Sequence, residues 1–212
     1  LMFEFLKQYG DVTKSEVLKT YKAVDLCFHK VWYGQSVTWK TNERLKMIVE
    51  AFTKEYDQNS FAELVKNHEE MELHYSPDPI PGVHEALEEV KKNYKLAIIS
   101  DAIFSPGTVL RKVLEKYKLK DYFDHFVFSD EAGFSKPHAK TFESVLHHFN
   151  VEPKDLAHVG DREKKDVDGA INIGAKAILC LASPNKTSNE TRAHAQFDDY
   201  KDFTNVVNQL KD

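Results

Sequence analysis

Apolar and polar positions follow two different rhythms along the chain. From Leu1 to about residue 75, apolar side chains recur at three- and four-residue intervals, the period of helices that bury one face. Phe3 and Leu6, with Met2 beside them, already share a face, so the chain opens inside an amphipathic helix. Thr13 and Glu16 make a capping box ahead of Val17, Leu18, Tyr21, Val24, Leu26, Phe28 and Trp32. Thr41 or Asn42 starts a helix with Leu45, Ile48, Val49 and Phe52 on one stripe, and Ser60 with Glu63 caps another that reaches His74. Trp32, Trp39, His68 and His74 are candidate pocket residues, but aromatics at helical spacing usually pack a core and single histidines usually face solvent. They stay unassigned.

The rhythm changes at SPDPIPG, Ser76 to Gly82, where three prolines and a glycine favour an extended hinge. Beyond it, helical stretches alternate with short apolar runs: Leu96–Ile99, Phe126–Phe128, Ala157–Val159 and Ala177–Cys180. Such runs between helices predict a parallel sheet covered on both faces, the doubly wound α/β class. The pattern therefore divides the chain into a helical unit, 1–75, and an α/β unit, 76–212. The tail from Ala193 adds a short edge strand and a last helix.

Composition narrows the classes. With 212 residues, 42% apolar, the chain can bury one sizeable core and a small second unit. A net charge of −5, spread evenly, offers no basic block to neutralise phosphates, so no nucleic-acid partner is expected. No apolar run approaches membrane-spanning length. Cys27 and Cys180 show no metal or redox spacing and read as buried thiols of a reducing, cytoplasmic compartment. Oligomeric state is not legible.

Candidate chemistry gathers where the apolar runs end, the edge at which open α/β sheets bind ligands. After Leu96–Ile99 come Ser100 and Asp101, a hydroxyl and backbone N–H groups suited to a phosphate; a helix N-cap explains Ser100 equally well. After Phe126–Phe128 comes Lys136, held extended ahead of Pro137 and able to reach inward as a fixed cation. After Ala157–Val159, Gly160 turns the backbone and Asp161 points out past the strand, with Asp166 in the next helix and Asp168 beside it. Capping explains Asp166 or Asp168 singly. Two converging carboxylates repel unless a cation lies between them, and Mg²⁺ takes such oxygen ligands.

In this order and spacing the chain resembles the haloacid dehalogenase superfamily of hydrolases, in the branch with a helical cap. LAIISDA is similar to its second motif, FSDEAGFSKPHAKTFE to its third and HVGDREKKDVDGA to its fourth, in a Gly-Asp-x4-Asp form typical of metal-dependent phosphatases. The resemblance implies a helical cap on a Rossmann-like core, and phosphatase action on a small phosphorylated metabolite through an aspartyl-phosphate. It places Ser100 and the Asp101 N–H on phosphate, Lys136 beside the nucleophile, and Asp161 with Asp166 at Mg²⁺. The family's first motif, Asp-x-Asp-x-Thr, which carries nucleophile and general acid, matches no stretch here. A central strand is therefore expected in a segment of roughly 20 to 30 residues ahead of Leu1, and the chain without it is expected to be inactive. The competing expectation is a non-catalytic member that binds a phosphorylated ligand or a protein; a metal-free dehalogenase is a third.

Overall fold

The computed structural model describes residues 1–183 and 190–210. Up to residue 74 its regular structure is helical: α1 (Met2–Leu6), α2 (Lys14–Gln35), α3 (Thr41–Glu50), α4 (Gln58–Glu69) and α5 (Met71–His74). The predicted capping box opens α2, with Glu16 N donating to Thr13 Oγ1 at 3.2 Å and Thr13 N to Glu16 Oε2 at 2.9 Å. α4 differs from expectation. Its cap is Asp57, whose carboxylate accepts from Ser60 N at 2.6 Å, so Ser60 lies inside the helix.

These helices enclose a core of their own built on Met2, Phe5, Leu6, Val17, Leu45, Ile48, Val49 and Leu64. Leu18 and Leu26 belong to no buried face and are exposed, because α2 is long enough to turn them outward between its two contact stripes. The second stripe, Phe28 and Trp32, is fully buried against other parts of the protein. Cys27 is also exposed, contrary to expectation, one position off that stripe; Cys180 is buried as expected.

After the proline-rich turn come α6 (Val83–Lys91), β1 (Ala97–Ser100), α7 (Gly107–Lys116), β2 (His125–Phe128), α8 (Ser129–Ala132), α9 (Ala139–Phe149), β3 (Ala157–Gly160), α10 (Asp168–Asn172), β4 (Lys176–Cys180), β5 (Ala195–Phe197) and α11 (Tyr200–Gln209). All strand pairs are parallel. Along β4, Ala177 and Leu179 join Phe142, Val167 and Ala170 on one face, whereas Ile178 and Cys180 join Ala86, Val90 and Phe203 on the other. That alternation is what a sheet sandwiched between two helical layers requires, and the fold is the expected doubly wound α/β class.

The sheet is not continuous. β1 pairs with β2, β3 with β4 and β4 with β5, but among the described residues no register joins β1 to β3. Between them lies a crevice of about 700 Å³, lined by Leu96–Ile99 on one side and Leu156–Val159 on the other. β1 is consequently only half-buried along its whole length, although its sequence reads as an interior strand.

Candidate active site

The candidate site lies where the strands end, and its geometry begins with Gly160. A Cβ there would sit 2.2 Å from Asp166 Cγ, inside any tolerable contact, so only glycine lets the two approach. The chain between them, Glu163–Val167, forms a single π-helical turn, wider than an α turn. This turn swings Asp166 back beneath the end of β3. Its Oδ2 accepts from Arg162 N at 3.0 Å, and its Oδ1 lies 2.7 Å from Lys136 Nζ and 3.0 Å from His158 Nε2. Gly160→Ala is expected to displace this locked carboxylate and cost about 3 kcal/mol of stability; an unchanged urea midpoint would show that the turn can absorb the methyl.

Asp166 is 2% exposed. Burial alone would raise its pKa, but the His158 hydrogen bond and the Lys136 charge outweigh that and hold the carboxyl well below the usual carboxylate range. The pKa of His158 is lowered as well, because burial outweighs the pull of Asp166. An ionised carboxylate only accepts, so the neutral imidazole carries its proton on Nε2 and donates to Asp166.

Lys136, at a cis peptide to Pro137, joins two strand ends. Its Nζ donates to Ile99 O at 3.0 Å, one residue before the end of β1, while pairing with Asp166 beneath β3. The carboxyl ends of β1 and β3 therefore converge on one ammonium group across the crevice. Ser100 follows Ile99 directly, in register with Phe128. The helix-cap explanation of Ser100 fails, because the next helix starts at Gly107 behind Pro106.

Asp101 contributes more than a backbone N–H. Its Oδ1 accepts from Lys136 N at 2.9 Å, and its Oδ2 accepts from Trp32 Nε1 at 3.1 Å and lies 3.7 Å from Lys165 Nζ. Lys165 is 3% exposed, donates to Lys136 O at 2.6 Å and Trp32 O at 3.2 Å, and sits 4.0 Å from the Trp32 ring centroid. Burial lowers its pKa, and the Asp101 carboxylate opposes that. Thr38 Oγ1 donates to Ser129 Oγ at 2.8 Å, and Ser135 N to Ser36 O at 2.8 Å. The segment from Trp32 to Thr38 is thus stitched to the strand-end loops, and Trp32 is a tether at the site. Sequence reading missed Lys165 and His158; the one available signal was their place inside the Gly160 motif.

Asp161 leaves β3 past Gly160, and its Oδ2 accepts from Ser183 Oγ at 2.7 Å. Asp168 is drawn away to Arg192, with Nη1 to Oδ1 at 2.6 Å, and takes no part in the cluster. The donor set falls short of a Mg²⁺ site. Asp166 already accepts from Lys136, His158 and Arg162, and no group of three or more His, Cys, Asp or Glu side chains among the described residues is placed to hold a metal. No helix among the described residues is long and apolar enough to cross a membrane.

A doubly wound α/β sheet with a buried lysine–carboxylate pair at its strand ends, and a helical lobe tied over them, defines the class to which the chain is to be compared. The chain belongs to the haloacid dehalogenase-like hydrolase family, whose profile matches residues 12–180. Among curated proteins, it is 39% identical over 100 residues to the glyceraldehyde 3-phosphate phosphatase of Pyrococcus furiosus, covering 47% of this chain and 40% of that protein. It is 28% identical over 166 residues to the phosphoglycolate phosphatase of Aquifex aeolicus, covering 77% of this chain and 74% of that protein. The match thus spans only about two fifths of the length of the Pyrococcus protein. Among solved structures, the 2-haloacid dehalogenase of Pseudomonas syringae pv. Tomato DC3000 has the same fold, with a TM-score of 0.66 at 20% identity over 98% of this chain and 90% of that one.

Proposed function

We propose that this chain forms the helical cap, 1–75, and most of the α/β core, 76–212, of a cytoplasmic phosphatase acting on a small phosphorylated metabolite. The observation that carries the reading is the Lys136 ammonium, fixed between Ile99 O and Asp166 at the meeting point of two strand ends. A desolvated, immobile cation there is suited to the charge that builds on a transferring phosphoryl group. Ser100 Oγ and the Asp101 N–H lie at the end of the neighbouring strand as further donors. The relatives named as phosphatases of three-carbon and two-carbon phosphates support the substrate class.

In this reading, the nucleophile arrives on an extended strand that fills the crevice between β1 and β3. One aspartate of that strand attacks phosphorus and the bond to the leaving oxygen breaks, giving an aspartyl-phosphate. A second protonates the leaving oxygen and then takes a proton from the water that attacks phosphorus, so that the phosphorus–carboxylate bond breaks, inorganic phosphate is released and both aspartates are restored. Lys136 balances the nucleophile's charge, and Asp166 holds Lys136 in place. Mg²⁺, when bound, would supply charge neutralisation at the phosphate; Asp161 is its proposed ligand and Asp166 a supporting acid, with the remaining oxygens coming from the inserted strand and water. The resident residues alone do not complete that site, so no step is assigned to the metal.

Asp161→Asn, in protein carrying the strand, is expected to lower Mg²⁺-dependent turnover of p-nitrophenyl phosphate by about 100-fold or more. Rates equal to those of the unsubstituted protein would refute the metal assignment, and turnover that survives a chelator in the unsubstituted protein would refute metal dependence.

A further inference from the structure

Lys136 is held at its main chain as well as at its ammonium. Its N–H donates to Asp101 Oδ1 at 2.9 Å and its carbonyl accepts from Lys165 Nζ at 2.6 Å, while Asp101 Oδ2 and Lys165 Nζ face each other at 3.7 Å. The two peptide groups that flank the Lys136 side chain therefore end on one carboxylate–ammonium pair. Lys165 directly precedes Asp166 in the π-helical turn, so successive residues hold the two ends of Lys136: Lys165 takes its carbonyl and Asp166 its ammonium.

The same pair grips the helical lobe. Trp32 Nε1 donates to Asp101 Oδ2 at 3.1 Å, Trp32 O accepts from Lys165 Nζ at 3.2 Å, and the indole ring centroid lies 4.0 Å from that ammonium. The last turn of α2 has no basic residue of its own, so Lys165 also places a cation at the negative end of that helix. Stability alone does not call for a lysine here. Lys165 is 3% exposed, and a buried ion pair is often matched or bettered by apolar side chains of similar volume. A methionine would cover the Trp32 ring as well. What an ammonium adds is three N–H donors, set here against two carbonyls and a carboxylate from separate parts of the chain.

We propose that Lys165 is a positioning residue: with Asp101 it locks the main chain of Lys136 to Trp32, so that the place of the Lys136 ammonium depends on the docking of the helical lobe. A movement of the lobe that withdraws Trp32 takes a donor from Asp101 and an acceptor from Lys165, and these are the two groups that fix the Lys136 main chain. The lobe thus acts on the ammonium without touching it. The consequence for turnover rests on the phosphatase reading; the coupling itself does not.

Amide hydrogen exchange, read by NMR on the chain as it stands, tests the coupling, with the buried Ile178 amide of the middle strand β4 as internal reference. In Lys165→Met the Lys136 amide is expected to exchange about tenfold faster relative to Ile178, the order of effect of removing one charge-assisted hydrogen bond. Trp32→Phe keeps a ring beside Lys165 and removes the indole N–H; it is expected to speed the same amide by about threefold or more, and it decides the matter if the first variant fails to fold. In protein carrying the strand, Lys165→Met is expected to lower kcat for p-nitrophenyl phosphate by about 10- to 100-fold with KM nearly unchanged, the pattern of a group misplaced in the transition state. A loss of stability alone would not split the two constants in that way. Unchanged relative exchange in either folded variant, or an unchanged kcat in the strand-bearing protein, would overturn the proposal. Strand-bearing protein without turnover before any substitution would count against the phosphatase reading instead, and the exchange rates would still decide the coupling.

Discussion

Asp166→Asn is expected to lower the unfolding free energy by about 3 kcal/mol, the cost of leaving one partner of a buried ion pair alone. The amide keeps the shape and can still accept from Arg162 N, so packing is preserved and the loss isolates the charge. Lys136 is then left with Ile99 O as its only acceptor described here, its side chain 14% exposed. Lys136→Met alone should cost less, since Asp166 retains His158 and the Arg162 N–H. The double substitution should be milder than the sum, with a coupling of about 2 kcal/mol measured in urea. Simple additivity would mean that the pair does not interact.

The same carboxylate sets an acid limit. Its folded pKa is depressed, so its stabilisation is complete above the unfolded carboxylate range near 4 and is lost as pH falls through that range toward the folded value. His158 adds to this. Its folded pKa is also depressed, so protonation, which begins in the unfolded chain near pH 6.5, favours unfolding as pH falls. Stability should therefore decline from about pH 6.5 downward, and more shallowly in Asp166→Asn; a profile of equal slope in the variant would exclude Asp166 as a source.

How much of this was legible follows from what sequence can express. The helical period gave the all-helical first unit, and short apolar runs between helices gave the parallel strands, because burial on one stripe or on two faces writes itself into residue spacing. The placement of Ser100, Lys136 and Asp161 near strand ends was readable because each lies at or past the end of an apolar run, the edge where such sheets place ligands. What escaped was the partner of each. Asp166 looked like a metal ligand or cap, and the structure shows it committed to Lys136, a pairing across thirty residues that no local pattern records. Its acceptance from Arg162 N shows that the capping explanation also held in part. Trp32 read as a core aromatic, and it is buried, but its indole N–H reaches Asp101 across 69 residues. Asp57 outcompeted Ser60 for one cap because both residue types serve there and only backbone dihedrals decide. The break in the sheet was legible only through the family resemblance, whose unmatched first motif implies a missing central strand; β1 and β3 themselves carry the apolar composition of interior strands.

That break leads to the prediction with the largest effect. Adding an extended peptide of about five β-branched residues followed by Asp-x-Asp-x-Thr, fused ahead of Leu1 through a flexible linker, is expected to fill the crevice and raise the melting temperature by roughly 6 to 12 °C. Four buried apolar side chains at about 1.5 to 3 kcal/mol each, set against about 1.5 kcal/mol for ordering each strand residue, come near balance; the parallel hydrogen bonds to two open edges, at about 1 kcal/mol each, leave a net gain near 3 kcal/mol, worth about 2 to 4 °C per kcal/mol in a chain of this size. The geometry also fixes direction. Lys136 gathers the carboxyl ends of β1 and β3, so a strand parallel to both delivers its aspartates beside that ammonium, whereas an antiparallel one delivers them to the far end near Lys95 and Asp155, which line the crevice there. A fusion with the order reversed, aspartates first, should stabilise less and show no phosphatase activity, while the forward fusion should gain Mg²⁺-dependent turnover. Equal melting temperatures for the forward fusion and a proline-substituted version, which cannot donate to either edge, would mean that the crevice is not a strand site, and the proposed phosphatase reading would lose its nucleophile.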